Sequence, residues 1–365
     1  MVLPISKLLI INPHKIVFYD GIEIVISLIM NHYSRYILLS LGLKRAREVS
    51  SVLFFSSLFS LYWLSAQHLL TTSAYILTVT CDGMALGLLY PSLNHLVLQM
   101  RNCASEKSRY LSLLNVSWSC GYLVCGAMVS RFLYLQSLAS ILLISVFFLL
   151  YLLLDFLFLN PADCVFQQHT SRDRVPRSIF FIGLILASVT FSQNSIEYWM
   201  PVVMNLSHGI SLSSCALIMT FFGVAQATGR LLFGVFAAKL KIVTFSIIPF
   251  VGFFFAVVVS TFVDNFAGFF VCIILMGLSS SCLLPVIMTL SAEFGIKPDP
   301  KHTCFFIFMN TLGSGLSFAF NGIGANALPP HEMSLGAPVF LLLGLILLLC
   351  LCCGRWRVHH HYDYR

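Results

Sequence analysis

The chain has 365 residues, of which 58% are apolar, 14% aromatic and only 10% charged, with a mean hydropathy of +0.91. A soluble domain carries about 25% charged residues, so most of this chain is expected to sit in lipid. The net charge of +7 is no nucleic-acid signal, because the basic residues lie in short clusters between apolar runs. The 12 cysteines show no CxxC pair or regular spacing and read as small apolar residues, not as a disulfide or metal framework.

Runs of roughly 20 residues, long enough to cross a bilayer, fall at 16–41, 50–68, 73–99, 109–132 and 136–158. A polar connector follows at 159–177, then further runs at 178–204, 211–238, 242–263, 266–291, 303–326 and 334–353. The expectation is an all-α integral membrane protein with 11 transmembrane helices, five before the connector and six after it. Asp20, Glu23, His32 and Arg35 dilute the first run. Residues 1–158 form an N-terminal bundle on this reading, 159–177 a cytoplasmic linker, 178–354 a C-terminal bundle and 355–365 a tail.

Lysine and arginine set the orientation. Sixteen of the 21 basic residues occupy alternate connections: Lys44, Arg45 and Arg47, then Arg101, Lys107 and Arg109, then Arg172, Arg174 and Arg177. Lys239 and Lys241, Lys297 and Lys301, and the tail arginines continue the series. The opposite connections around 69–72, 205–210, 264–265 and 327–333 carry none. The basic side and the C-terminus are therefore expected in the cytoplasm.

The chain also repeats itself. At an offset of 195, Arg35 falls on Arg230 and Lys44 on Lys239, within Ser34–Lys44 and Gly229–Lys239. Gly83 and Pro91 are matched by Gly277 and Pro285, and Asn115 by Asn310. Two similar hydrophobic halves are a transporter signature. The first half begins one helix late, with Pro4 preceding Arg35 much as Pro201 precedes Arg230. On this reading the start codon lies upstream, or the product is shortened.

These residues resemble the major facilitator superfamily of secondary transporters, whose members have two six-helix halves joined by a cytoplasmic loop. Gly229-Arg230 with Gly234 and Lys239 is similar to the degenerate family motif that follows the eighth helix. The first-half copy keeps Arg35, Gly42, Lys44 and Arg45 but has no acid near Leu39, which in the family helps lock the inside gate. Gly83, Ala85, Gly87 and Pro91 resemble the family's fourth helix, although Val79 stands where an arginine is usual. No Gly-Pro pair of the proton-coupled drug antiporters follows Gly121. The resemblance implies two pseudo-symmetric helical bundles, alternating access and a multi-pass protein of the cell membrane, such as a bacterial inner membrane.

Several polar residues interrupt apolar spans. Asp82 lies about nine residues into its span, roughly 13 Å deep. It is read either as a proton or substrate-cation site or as an acid hydrogen-bonded to a neighbouring helix. Gln193, Asn194 and Glu197 share one helical face and point to a cavity or gate, unless Tyr198 and Trp199 anchor that turn at the interface. Asn115 and Asn310 either bridge helices or contact substrate. Arg35, Lys44, Arg45, Arg230, Lys239 and Glu293 are gate candidates. Gly83, Gly87, Pro91, Gly229, Gly234, Gly277 and Pro285 are helix-packing candidates.

No nucleophile elbow, phosphate loop or HExxH occurs, so no enzyme, cofactor or metal site is expected. The expected function is secondary active or facilitative transport of a small solute, with proton coupling through Asp82 or Glu197 left open. A neutral or cationic substrate is preferred because only Arg35 and Arg230 lie within spans near the inner side. The expected partners are that solute, protons and the lipid bilayer, with no nucleic acid. The rival expectation is a truncated, transport-inactive remnant kept as a membrane scaffold or decaying as a pseudogene.

Overall fold

The computed structural model describes residues 13–67, 69–99, 109–117, 119–121, 176–236, 242–263, 266–293, 300–327 and 336–362. Every regular element among them is helical. Helix α1 spans Pro13–Leu41, α2 Leu43–Ala66 and α3 Thr72–Gln99, and residues 109–117 and 119–121 are helical in turn. Helix α4, Arg177–Asn194, runs through a π-helical turn, Ser195–Trp199, into α5, Met200–His208. Then come α6 (Leu212–Phe236), α7 (Ile242–Ser260), α8 (Phe266–Ser280), α9 (Leu283–Glu293), α10 (Pro300–Ala327) and α11 (Gly336–Tyr362). Among the described residues, 7 stretches are long and apolar enough to cross a membrane. The expected span at 136–158 and nearly all of the 159–177 linker lie outside the described residues.

The basic cluster at 44–47 is not the loop that its charges suggest. Gly42, at φ +78°, turns the chain in a single residue, and Lys44, Arg45 and Arg47 already belong to the first turns of α2. A side chain at that φ would bring its Cβ against the backbone, which glycine avoids. Lys44 and Arg45 are exposed, whereas Arg47 is only 1% exposed.

Polarity is inverted along α1. Ser27, Asn31 and Ser34 are buried, at helical spacing, while Val25, Ile29, Tyr33 and Tyr36 are exposed. In lipid this is the expected arrangement, because apolar side chains are soluble in the surroundings and polar ones must find partners inside. Behind that polar face, α4 and α6–α11 share an apolar core around Leu186, Phe222, Phe250, Phe253 and Ile287. Phe191 and Phe340 stack with their ring centroids 3.7 Å apart.

The glycine landmarks seat two equivalent helix pairs. A Cβ at Gly83 would stand 2.5 Å from the Glu23 carbonyl oxygen, and one at Gly87 2.5 Å from Met30 Cβ, so α3 lies directly on α1. A Cβ at Gly277 would stand 2.8 Å from both Ala225 Cβ and the Phe222 carbonyl oxygen, and Gly229 presses on Ser281 and Leu278, so α8 lies directly on α6. Gly234 departs from its expected role. The nearest atoms to an added Cβ there are those of Ser112 at 3.8 Å, which leaves room for a methyl group.

Prolines shape the two irregular turns. Pro201 has no N–H for the Glu197 carbonyl four residues back, and its ring crowds that position. The helix accommodates it by widening to the π turn at 195–199. Pro285 likewise cannot donate to the Ser281 carbonyl, and the apolar run expected as one helix over 266–291 breaks into α8 and α9 at residues 281–282. Pro91, by contrast, sits inside a continuous α3.

Candidate functional site

A cavity of about 170 Å³ opens where helices of the two sequence repeats meet. From the first repeat, α1 contributes Glu23, Ser27 and Asn31, α3 contributes Tyr90, and the helical segment 109–117 contributes Asn115. From the second, α4 contributes Thr190, Gln193 and Asn194, and the π turn contributes Glu197 and Tyr198. Arg230 of α6 and Asn310, Thr311 and Ser314 of α10 complete the polar wall. Five of the six substrate or proton candidates read from sequence thus surround one space.

Asp82 does not line it. Its carboxylate accepts a hydrogen bond from Ser57 Oγ of α2, so it faces the α2–α3 contact. This is the arrangement of an acid tied to a neighbouring helix.

The π turn sets the geometry around Glu197. Gln193 Nε2 donates to Glu197 Oε1 at 2.8 Å, one turn back on the same helix. Gln226 Nε2 of α6 donates to the same oxygen at 3.0 Å and reaches Ser280 Oγ at 3.4 Å. Tyr198 packs its ring 4.7 Å from that of Phe318 at the cavity edge. Trp199, offered by the sequence as an interfacial anchor, is buried instead.

Arg230 is 3% exposed and reaches across the repeats. Its Nε donates to the Ser281 carbonyl at 3.1 Å, and its Nη1 to the Asn115 carbonyl at 2.6 Å and to Ser119 Oγ. Ser112 Oγ donates back to the Arg230 carbonyl at 2.6 Å. Glu197 and Tyr90 line the same cavity as the guanidinium. Arg230, read from the sequence as a gate candidate toward the inner half of its span, has its guanidinium at the cavity wall, where it joins the two repeats.

A second seam joins α1 to α10. Asn31 Nδ2 donates to Thr311 Oγ1 at 2.8 Å, and Ser34 Oγ to Cys304 Sγ at 3.3 Å. Within the second repeat, Thr190 Oγ1 donates to Asn310 Oδ1 at 2.7 Å and Asn194 Nδ2 to Ser314 Oγ. Asn310 therefore bridges α4 and α10, whereas the Asn115 amide donates within its own helix, to Leu111 O at 2.8 Å.

The other gate candidates are dispersed. Arg35 is half-buried near the end of α1, Lys44 and Arg45 are exposed on α2, and Glu293 closes α9. Lys239 lies outside the described residues. Sequence reasoning missed Ser27, Asn31, Thr190, Gln226, Thr311 and Ser314, and took Glu23 only as a dilution of its span. The spacing of Glu23, Ser27 and Asn31, four residues apart each time, is the signal that marks one helical face.

A bundle of membrane-crossing helices with a polar cavity between two repeats is the architecture of a multi-pass transporter. The sequence model of the Major Facilitator Superfamily matches residues 24–320, and the chain belongs to that superfamily. Solved structures with the same fold include the E. coli fucose:proton symporter FucP, 16% identical at a TM-score of 0.66 over 95% of this chain and 90% of that one. The human organic anion transporter MFSD10 (TETRAN) is 13% identical, with a TM-score of 0.70 over 93% and 85%. A bacterial homologue of the iron transporter ferroportin, in an outward-facing state, is 12% identical, with a TM-score of 0.70 over 97% and 94%. No curated protein sequence matches the chain.

Proposed function

We propose that this transporter carries a small neutral or cationic polar solute by alternating access, the two repeats rocking as bundles about the cavity. The observation that carries the reading is that both repeats line one polar space and are fastened to each other across it by side-chain hydrogen bonds. Asn31–Thr311 and Arg230–Asn115 are such fastenings. Hydrogen bonds between transmembrane helices are worth about 1 kcal/mol each, small enough to break and re-form during a cycle.

Glu197 is the proposed proton-coupling group. It is the acid at the cavity wall that two glutamine amides hold in place, and taking up a proton would change the balance of charge against Arg230. Asp82, equally eligible from sequence, faces another helix. The cell membrane and a cytoplasmic C-terminus complete the reading, on the strength of the alternation of basic connections.

The test is reconstitution into liposomes loaded with a pH-sensitive dye. Solute-dependent proton entry in the native chain, lost in Glu197→Gln and kept in Asp82→Asn, is the expected result. Absence of any solute flux in the native chain would instead favour the transport-inactive remnant.

A further inference from the structure

Gln226 and Arg230 stand four residues apart on α6, on one helical face, and both are buried. They hold consecutive residues at the end of α8. Gln226 Nε2 donates to Ser280 Oγ at 3.4 Å, and Arg230 Nε to the Ser281 carbonyl at 3.1 Å. Ser280 is the last residue of α8, and residues 281–282 form the break before α9. The backbone of α6 closes on the same place, since a Cβ at Gly229 would stand 2.9 Å from the Leu278 carbonyl oxygen.

Gln226 does not line the cavity; it stands behind Glu197, which does. Its amide carries two N–H groups. One goes to Glu197 Oε1 at 3.0 Å and the other to Ser280 Oγ, whose own hydrogen goes to the Gly277 carbonyl at 3.4 Å. A single side chain thus divides its donors between the cavity acid and the helix break.

The two bonds respond differently to a proton. A hydrogen bond to an ionised acceptor is roughly twice as strong as one between neutral groups. When a proton from the aqueous phase adds to the Glu197 carboxylate, the acid becomes neutral and its hold on Gln226 weakens. The bond to Ser280 has no charge to lose. Resting on the transport reading above, we infer that Gln226 is a positioning residue that ties the protonation of Glu197 to the α8–α9 break. With Glu197 ionised, the amide is fixed at both ends and pins α8 to the π turn. With Glu197 neutral, one end is loose and α9 is free to move.

Other groups that titrate or carry charge share this space. Among the described residues, Glu23 of α1, Tyr90 of α3, Arg230 of α6 and Tyr198 of the π turn line the cavity with Glu197, and Cys282 lies in the break. Helices α4 and α10 and the segment 109–117 add amides and hydroxyls to the cavity wall but no charge. A Glu197→Gln control separates the titration of Glu197 from that of the rest.

The experiment is deuterium exchange on the full chain in nanodiscs, at pH 5 and pH 9, with rates corrected for chemical exchange at each pH. Peptides covering residues 277–290 report opening of the break. In the native chain these amides should exchange at least fivefold faster at pH 5 than at pH 9. Glu197→Gln should bring that ratio below twofold, and so should Gln226→Leu. Ser280→Ala, a small change that removes only the far acceptor, should do the same and decides the matter where Gln226→Leu does not fold.

A native ratio below twofold overturns the inference, as does a native-like ratio in Glu197→Gln. A Gln226 that only supports packing raises exchange equally at both pH values and leaves the ratio unchanged in its variant; that result also overturns the inference. No solute enters this assay, so it stands apart from the liposome flux test. The expected ratios with no proton-coupled flux in liposomes leave the Gln226 link standing and take down the transport reading.

Discussion

Arg230 Nε donates to the Ser281 carbonyl at 3.1 Å, and that carbonyl lacks its helical donor because the residue four positions on is Pro285. The proline thus does two things at once. It breaks the run 266–291 into α8 and α9, and it presents a carbonyl oxygen to a cation that would otherwise be costly to bury in a membrane-embedded bundle. The same guanidinium then reaches Asn115 and Ser119 in the other repeat. Arg230→Leu should therefore lower the stability of the folded protein by about 2–3 kcal/mol, since hydrogen bonds to charged groups are the stronger ones. Arg230→Lys should recover part of the loss. Thermal unfolding in detergent compares the two.

Gly83 and Gly234 make opposite predictions although the sequence assigned both to helix packing. A methyl at Gly83 meets the carbonyl oxygen of Glu23, a backbone atom that cannot swing aside, so Gly83→Ala should destabilise by about 1–3 kcal/mol. At Gly234 a methyl finds ordinary contact with Ser112. There Gly234→Ala should be neutral, or stabilising by about 0.5–1 kcal/mol through helix propensity. Melting temperatures of the two variants test the difference directly.

Gly42 is required by its backbone angle, and the space around it is not limiting, since no atom beyond the adjoining residues lies within 4 Å of an added Cβ. Gly42→Ala should cost about 1–2 kcal/mol, the penalty for a left-handed L-residue. Gly42→Asn should cost less. Equal stability of all three proteins would contradict a left-handed junction between α1 and α2.

The two membrane acids should separate functionally. Glu197→Gln keeps the shape of the side chain and removes its negative charge, so proton-driven uptake should fall at least tenfold. Asp82→Asn keeps an acceptor for the Ser57 hydroxyl and should retain most of the uptake while changing stability modestly. Proton-flux assays on the two variants, at matched protein density in liposomes, provide the comparison.

Much of this architecture can be read in the residues. Landmarks at nearly the same offset, such as Arg35 with Arg230 and Gly83 with Gly277, mark the repeat, and for the glycines the reason is that close helix approach in lipid needs small residues at fixed places. Gln193, Asn194 and Glu197 were legible because three polar groups on one face of an apolar helix need a common explanation. The polar stripe of α1 was harder to see. Glu23, Ser27 and Asn31 lower the apolarity of their span, so a reading tuned to hydrophobic runs treats them as noise. Gln226 is a single amide in an apolar run, and only the fold brings it to Glu197. Arg47 looked like loop charge because the one-residue turn at Gly42 depends on a backbone angle, which composition does not report.

In the alternating-access cycle proposed above, solute movement requires the α1–α10 seam to part. Ser34 Oγ lies 3.3 Å from Cys304 Sγ across that seam, so Ser34→Cys places a thiol where it can cross-link to the native cysteine. The decisive measurement is uptake by this variant in liposomes, oxidised and then reduced. Oxidation should halt uptake, and dithiothreitol should restore it. Uptake continuing at the reduced rate in fully cross-linked protein would contradict it.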